Sequence, residues 1–436
     1  MSRQRTGTRN IPYFKLSAGL LALLAATRLP AVAPRTGSLD PEFTRLPFAE
    51  WAAQGKQTGI RWSVDVPAPQ LSTHQRLMVR IAITVDGREL ERRRGKGDFL
   101  ALLQLEDSAH HLWQNHASMN LESVRKGVSA SNIEISNYAF VLPGDYTLSL
   151  AICDTATLEH SFVSRKLHVG PLKDDPLPEA WSQLPPVEFV RADSGPPDIW
   201  YLPDIESRLH LPIVTKRPVR VELLVNMTPS ERAAGSLTTM RRNMSLLIPA
   251  LKVFSAMKPD QGSIEAALLD LTQKRVAWEQ RNVHEPDWSG LRRALVADEP
   301  GKIDVHALQG QRQMREYFVN EIRRRMEAPK ETPLVLIVLS GPAFFLDQDM
   351  AESVAFPNNP DRKLIYIRDR SIFTPAPGRG RFGGGARGPG RATQLSMPTD
   401  DLQQAVRAFS PHVYDAATAA QFRRIVAEVL RQIEAM

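Results

Sequence analysis

The chain has 436 residues, a hydrophobic fraction of 42%, a formal charge of +7 and a single cysteine, Cys153. That length holds two domains or three, each with its own core, and one thiol excludes any intrachain disulfide, a usage compatible with a bacterial periplasm. The charge is local: five basic residues and no acid fall in 1–33, four and no acid in 375–392, so the remainder carries a net −2 and shows no electrostatic footprint for nucleic acid.

In chain order, the first element is an export signal. Arg3, Arg5, Arg9 and Lys15 precede the apolar run 16–26 (LSAGLLALLAA), and Ala31-Val32-Ala33 fits a small-x-small cleavage site. The run is short for a bilayer span, which needs about 20 residues. Uncleaved, segment 1–33 would instead anchor the chain in the inner membrane. The expected location is therefore periplasmic or extracellular. Residues 34–58 are polar and proline-bearing and are expected to be a disordered lead-in.

From 59 to 170 the pattern is that of strands. The run 76–85 (RLMVRIAITV) alternates, with Asp86-Gly87 after it as a hairpin turn signal. Further apolar runs follow at 99–105 and 133–142. Pro143-Gly144-Asp145 makes a turn, and 146–153 with 162–169 completes a hairpin. Short strands at this spacing predict an antiparallel β-sandwich of immunoglobulin-like type. Residues 171–216 carry nine prolines, which exclude a regular helix. Trp181, Trp200, Tyr201 and Leu209 make this a linker that packs rather than one that swings freely.

From 217 to 436 strands and helices alternate, which predicts a doubly wound α/β domain of Rossmann type with helices on both faces. The run at 219–225 is β-branched and nearly unbroken, as in a strand buried on both sides of a parallel sheet. A helical stretch, 240–257, contains Pro249, which would kink it or start its second part. A strand at 263–271 and its partner at 276–278 follow, then helices over 288–296 and 305–326. Strands at 333–340, 363–367 and 413–414 and a closing helix over 417–433 complete the alternation. The Gly/Arg-rich segment 375–392, with one phenylalanine, interrupts it as a mobile loop. Arg-Gly repeats also occur in RNA-binding tracts, but here they interrupt a globular domain of an exported chain.

This order, carried by RVELLVNMTPS, IDVHALQGQRQMREYFVNEI, LVLIVLSGP and HVYDAATAAQFRRIVAEVLRQI, resembles a von Willebrand factor A (vWA) domain. More narrowly, it is similar to vWA-related proteins exported by bacteria. The resemblance implies a metal site built from an Asp-x-Ser-x-Ser run after the first strand, a threonine from a later loop and an aspartate after the fourth strand, usually holding magnesium. Here the first run reads Asn226, Thr228 and Ser230, so the carboxylate is an amide. Gly341 stands where the later aspartate is expected, and the loop before the central helix, Gly301-Lys302-Ile303-Asp304, has no threonine. The expectation is a degenerate site without metal or other cofactor. Its oxygens lie at the C-terminal rim of the strands, where open α/β sheets bind ligands.

Other chemistry is weakly signalled. His110, His111 and His116 have no cysteine or paired carboxylate to complete a tetrahedral metal set and read as a sandwich loop. Neither a Gly-x-Ser-x-Gly elbow nor a phosphate-cradling loop occurs, so no catalytic residue is assigned. The reading is a non-enzymatic module of the bacterial cell envelope that binds a protein partner and no nucleic acid. Its binding residues would be Asn226, Thr228, Ser230, Asp304, His306 and Ser340. The rivals are a magnesium-dependent adhesion module and an enzyme whose groups converge only in three dimensions.

Overall fold

The computed structural model describes residues 38–95, 97–190, 206–228, 247–283, 285–297, 310–328, 332–343, 356–357, 359–370 and 400–436. They divide into two compact units. Residues 38–69, 79–170 and 185–190 form one; 70–78, 171–184 and those from 206 onward form the other.

The first unit is sandwich-like. Its strands are β1 (Gln57–Thr58), β2 (Trp62–Asp65), most of β4 (Leu77–Asp86), β5 (Asp98–Asp107), β6 (Leu112–Asn120), β7 (Asn132–Val141), β8 (Gly144–Asp154), β9 (His160–Val169) and β10 (Val187–Phe189). They make two antiparallel sheets, ordered β1-β9-β8-β5-β6 and β10-β7-β4-β2. Alternation explains the core: Val79, Ile81, Ile83 and Val85 on β4 and Phe99, Ala101, Leu103 and Leu105 on β5 are all fully buried. Each Val, Ile, Leu or Phe among them contributes roughly 1.5–3 kcal/mol of burial. A short β3 (Gln70–Leu71) pairs with the first two residues of β4.

Three expectations change here. Asp86-Gly87 does not turn a hairpin. Asp86 caps the helix Gly87–Arg92 by accepting the Arg88 N–H at 2.9 Å. The Gly87 N–H donates to the Ser131 carbonyl, and a Cβ at Gly87 would lie 2.0 Å from the Val128 carbonyl oxygen, so a long-range approach overrides the local signal. The histidine-bearing stretch is not a loop throughout, because Leu112–Asn120 is strand β6, paired along its length with β5. Nor are residues 38–58 disordered. Ser38 bridges to Trp113, and helices Glu42–Arg45 and Phe48–Gln54 follow. Leu46, Phe48 and Trp51 are buried against Leu100, Leu102, Ala151, Cys153 and Phe162. The outward positions of β5 and β8 are apolar there and need a cover.

The second unit is built on a six-stranded sheet, ordered β15-β14-β12-β16-β17-β18. The members are β12 (Val219–Asn226), β14 (Gly262–Asp270), β15 (Arg275–Arg281), β16 (Leu334–Ser340), β17 (Arg362–Asp369) and β18 (His412–Ala416). All neighbours run parallel except the edge strand β15, which is antiparallel to β14. Every residue of β12 and β16 is buried, as strands of a covered parallel sheet should be: β16 is an apolar run up to Ser340, and β12 carries Arg220, Glu222 and Asn226 among its apolar residues. Gly262 permits the β12–β14 pairing: its φ is +127°, and a Cβ would lie 1.9 Å from the Val219 carbonyl oxygen. A small parallel pair, β11 (Leu211–Ile213) with β13 (Met257–Pro259), adjoins it.

One face of the sheet packs Leu224, Leu336, Val338, Leu364 and Tyr366 against Met314, Phe318, Ile322 and Met326 of the helix Gln311–Glu327. The helical residues recur at every fourth position, one stripe of a helix. The helix expected from 305 is described from Gln311, the preceding residues lying outside the described ones; likewise a helix is described over 247–255 only. Phe254 of that helix meets Phe422 of the helix Ala419–Glu434 edge to face at 5.7 Å.

The helix Ala419–Glu434 buries one broad face, and its Arg423 is the largest fully buried side chain described. The guanidinium is satisfied by Asp175 at 2.6 and 2.8 Å and by the carbonyls of Leu177 and Gln75, with the Trp181 ring 4.7 Å away. Trp181 donates its indole N–H to the same Gln75 carbonyl, and Gln75 donates its amide to Ala419. Such a charge is tolerated in the interior only because it is paired and fully hydrogen-bonded.

Candidate functional site

Strand order reverses between β12 and β16: the chain passes from β12 to β14 on one side and returns to β16 on the other. The crevice outside the carboxyl ends of those two strands is the ligand position of such sheets. Register sets Asn226 directly beside Ser340, both at strand ends.

The geometry of this pair is fixed by groups that can act only one way. Asn226 Oδ1 accepts the Thr228 backbone N–H at 3.0 Å, so Nδ2 faces Ser340 and donates to its Oγ at 3.0 Å. Ser340 Oγ in turn donates to the Gly341 carbonyl at 2.7 Å. Thr228 Oγ1 accepts the Leu271 N–H at 2.8 Å, tying the end of β12 to the end of β14. Asn226 and Ser340 are 1% and 0% exposed, whereas Thr228 is half-buried. Ser230, Asp304 and His306 lie outside the described residues.

The chain of contacts continues along the rim through residues that the sequence reading did not select. The Tyr366 phenol lies against Ser340 and donates to Asp400 Oδ2 at 3.1 Å. Asp400 Oδ1 accepts the backbone N–H groups of Ala343 and Leu402, the latter as cap of the helix Asp401–Ala405. Burial pushes the Tyr366 phenol well above its ordinary value, and the nearby Asp400 carboxylate pushes it further. Burial likewise raises the Asp400 carboxyl, against the opposing pull of the Ala343 N–H, Tyr366 and Arg368. Arg368 links this buried row to the surface: it donates to Asp415 at 2.6 Å and to Gln403 at 2.6 Å. Burial works to raise the Asp415 carboxyl, but Arg368 and Arg370 outweigh it and hold Asp415 low. A tyrosine inside the apolar run 364–367 was the available signal, since its hydroxyl needs a partner when buried.

A magnesium ion needs oxygen ligands in octahedral array, with one or two carboxylates. The described residues do not fit that demand. Asn226 turns its nitrogen toward Ser340 and its oxygen onto the Thr228 N–H, and the Thr228 hydroxyl oxygen already accepts the Leu271 N–H. Among the described residues no three His, Cys, Asp or Glu side chains come together as metal ligands. His110, His111 and His116 are instead paired singly with Glu106, Asp107 and Asp40.

The opposite end of the same sheet face is ionic. Arg325 donates to Glu321 at 2.8 Å, Glu222 at 3.2 Å and Glu279 at 2.9 Å, and Glu222 also meets Arg220 at 3.1 Å. Burial and the Glu222 charge raise the Glu265 carboxyl beside them.

No protein-family model matches the chain, and no curated protein matches it. Among solved structures, one described as "X-ray structure of Northeast Structural Genomics Consortium target SoR45" is similar at 10% identity, over 26% of this chain and 88% of that one, with a TM-score of 0.17. An overlap that slight carries no argument about fold or function.

Proposed function

We propose that the chain is a non-enzymatic module of the bacterial cell envelope, with an immunoglobulin-like sandwich and a vWA-like α/β unit, that binds a protein partner through the C-terminal rim of its six-stranded sheet. The single observation that carries the reading is the Asn226–Ser340 hydrogen bond at the switch point. It commits to a neighbouring hydroxyl the Asn226 side chain, which stands where the resemblance would have a carboxylate grip a cation. A strand order with the first strand central and one antiparallel edge supports the vWA-like assignment. The basic, apolar and small-residue sequence of 1–33 supports export. Asn226 and Ser340 frame the rim from within, while Thr228, Ser230, Asp304 and His306 belong to the segments that would meet the partner. Fold alone does not name that partner.

The test is capture from envelope extract by the full exported chain, with and without chelator, alongside Thr228→Arg. The expected result is one protein retained equally in both buffers and lost with the variant. Loss on chelation would favour the magnesium-dependent adhesion reading and overturn this one.

A further inference from the structure

The apolar patch on the sheet β1-β9-β8-β5-β6 is covered by a segment with few polar ties. Residues 38–54 lie over Leu100, Leu102, Ala151, Cys153 and Phe162, with Phe48 edge to face on Phe162 at 5.7 Å and Trp51 stacked on His160 at 4.2 Å. Its hydrogen bonds to the sheet cluster at one end: Ser38 N–H to the Leu112 carbonyl, Gln114 N–H to the Ser38 carbonyl, Asp40 N–H to Gln114 Oε1, and the His116 Nδ1–Asp40 Oδ2 pair at 2.6 Å. The other end runs into Gly55, whose φ of +79° breaks the helix before β1. We propose that 38–54 is a releasable strap, latched to the sheet by the charged His116–Asp40 pair, and that the apolar face beneath it becomes accessible when that pair loses its charge.

The surroundings of His116 set the direction. From the strap it faces Asp40, Glu42 and Arg45; on its own strand its same-face neighbours are Gln114 and Ser118, and opposite it on β5 is Leu102. The hydrogen bond to Asp40 raises the imidazole above its ordinary value, against the opposing effect of burial. Burial acts to raise the Asp40 carboxyl, but His116 and the Glu42 N–H outweigh it and hold Asp40 low. A raised histidine contributes stability that is fully present below its unfolded value and fades as pH rises through its folded one. The strap is therefore tightest in mildly acidic solution and loosens as pH climbs past neutrality.

Cys153 reports the opening. It is the chain's one cysteine, it is fully buried beneath the strap, and burial pushes its thiol up to about 12, so it reacts only when uncovered. The experiment follows modification of Cys153 by a maleimide in the full chain at pH 6.0 and 8.5. Each rate is divided by that of a free thiol peptide at the same pH, and global stability is measured in parallel by urea denaturation. The proposal expects opening to rise roughly three- to tenfold between the two pH values, the range of a half-buried ion pair. Asp40→Asn and His116→Gln should be open at both pH values and flat between them, with urea midpoints that move less than the labelling does. Equal pH dependence in wild type and both variants would overturn the proposal. So would labelling that tracks global unfolding throughout.

Discussion

One face of the six-stranded sheet ends in two different chemistries. At the amino ends of its strands, Arg220, Glu222, Glu321 and Arg325 are buried as ions. At the carboxyl ends, Asn226, Ser340 and Tyr366 are buried as neutral groups, with the Asp400 carboxyl raised toward its neutral form. The strands are largely the same and the burial is the same, so the difference isolates charge. A buried ion pair loses most when one partner is removed, because the other charge is stranded. A neutral network loses about one hydrogen bond at a time. The ionic end is thus suited to fixing the sheet on its helix, and the neutral end to forming a rim without an ion.

The largest effect should come from stranding a charge. Arg325→Met leaves Glu222 and Glu321 buried without their shared cation and should cost about 3–5 kcal/mol, read from the urea midpoint. Adding Arg220→Leu, Glu222→Leu and Glu321→Leu, which also removes the buried Arg220 that Glu222 pairs, should recover much of that loss; no recovery would show that the cluster acts through packing instead. Arg423→Met should be comparable, at about 3 kcal/mol, because Asp175 loses its cation and the Gln75 and Leu177 carbonyls each lose one of their donors. A fragment beginning at 206 lacks Gln75, Asp175 and Trp181 and is expected to be correspondingly unstable.

The neutral end should yield less. Ser340→Ala removes the acceptor of Asn226 and should cost about 1–2 kcal/mol in the same assay. Asn226→Asp is expected to destabilise by a similar amount and to confer no magnesium binding in calorimetry, since position 341 still lacks a carboxylate. A saturable heat from that single change would show that only the first carboxylate was missing. The smallest effect concerns pH. Burial raises the folded Asp400 carboxyl above its unfolded value, so the folded state binds its proton more readily and pays a penalty that grows as pH rises through the folded value. Asp400→Asn keeps a helix cap and removes the titration. Its stability relative to wild type should improve by about 1 kcal/mol or less from pH 4 to pH 7, seen in paired urea curves; an unchanged difference would mean that Asp400 does not titrate there.

The sheet was legible because its signal is local. The apolar run at β16, the nearly unbroken one at β12, and alternation along β4 follow directly from how each strand is buried. The rim was legible only by halves. Asn226, Thr228 and Ser340 stand out at strand ends, but their mutual bonding depends on a pairing across 114 positions. Tyr366 and Asp400 join them through a tertiary contact that no spacing announces. The strap failed to show for the opposite reason: its prolines and polar residues read as disorder, while its aromatics pay off only against an apolar face of a sheet formed later in the chain. Asp86-Gly87 misled because a turn signal and a helix cap use the same residues.

The rim's independence of metal is the claim on which the functional reading turns, and calorimetric titration of the full chain with magnesium and manganese addresses it directly. The account predicts no saturable heat up to millimolar ion. Micromolar binding that disappears in Ser340→Ala would contradict it.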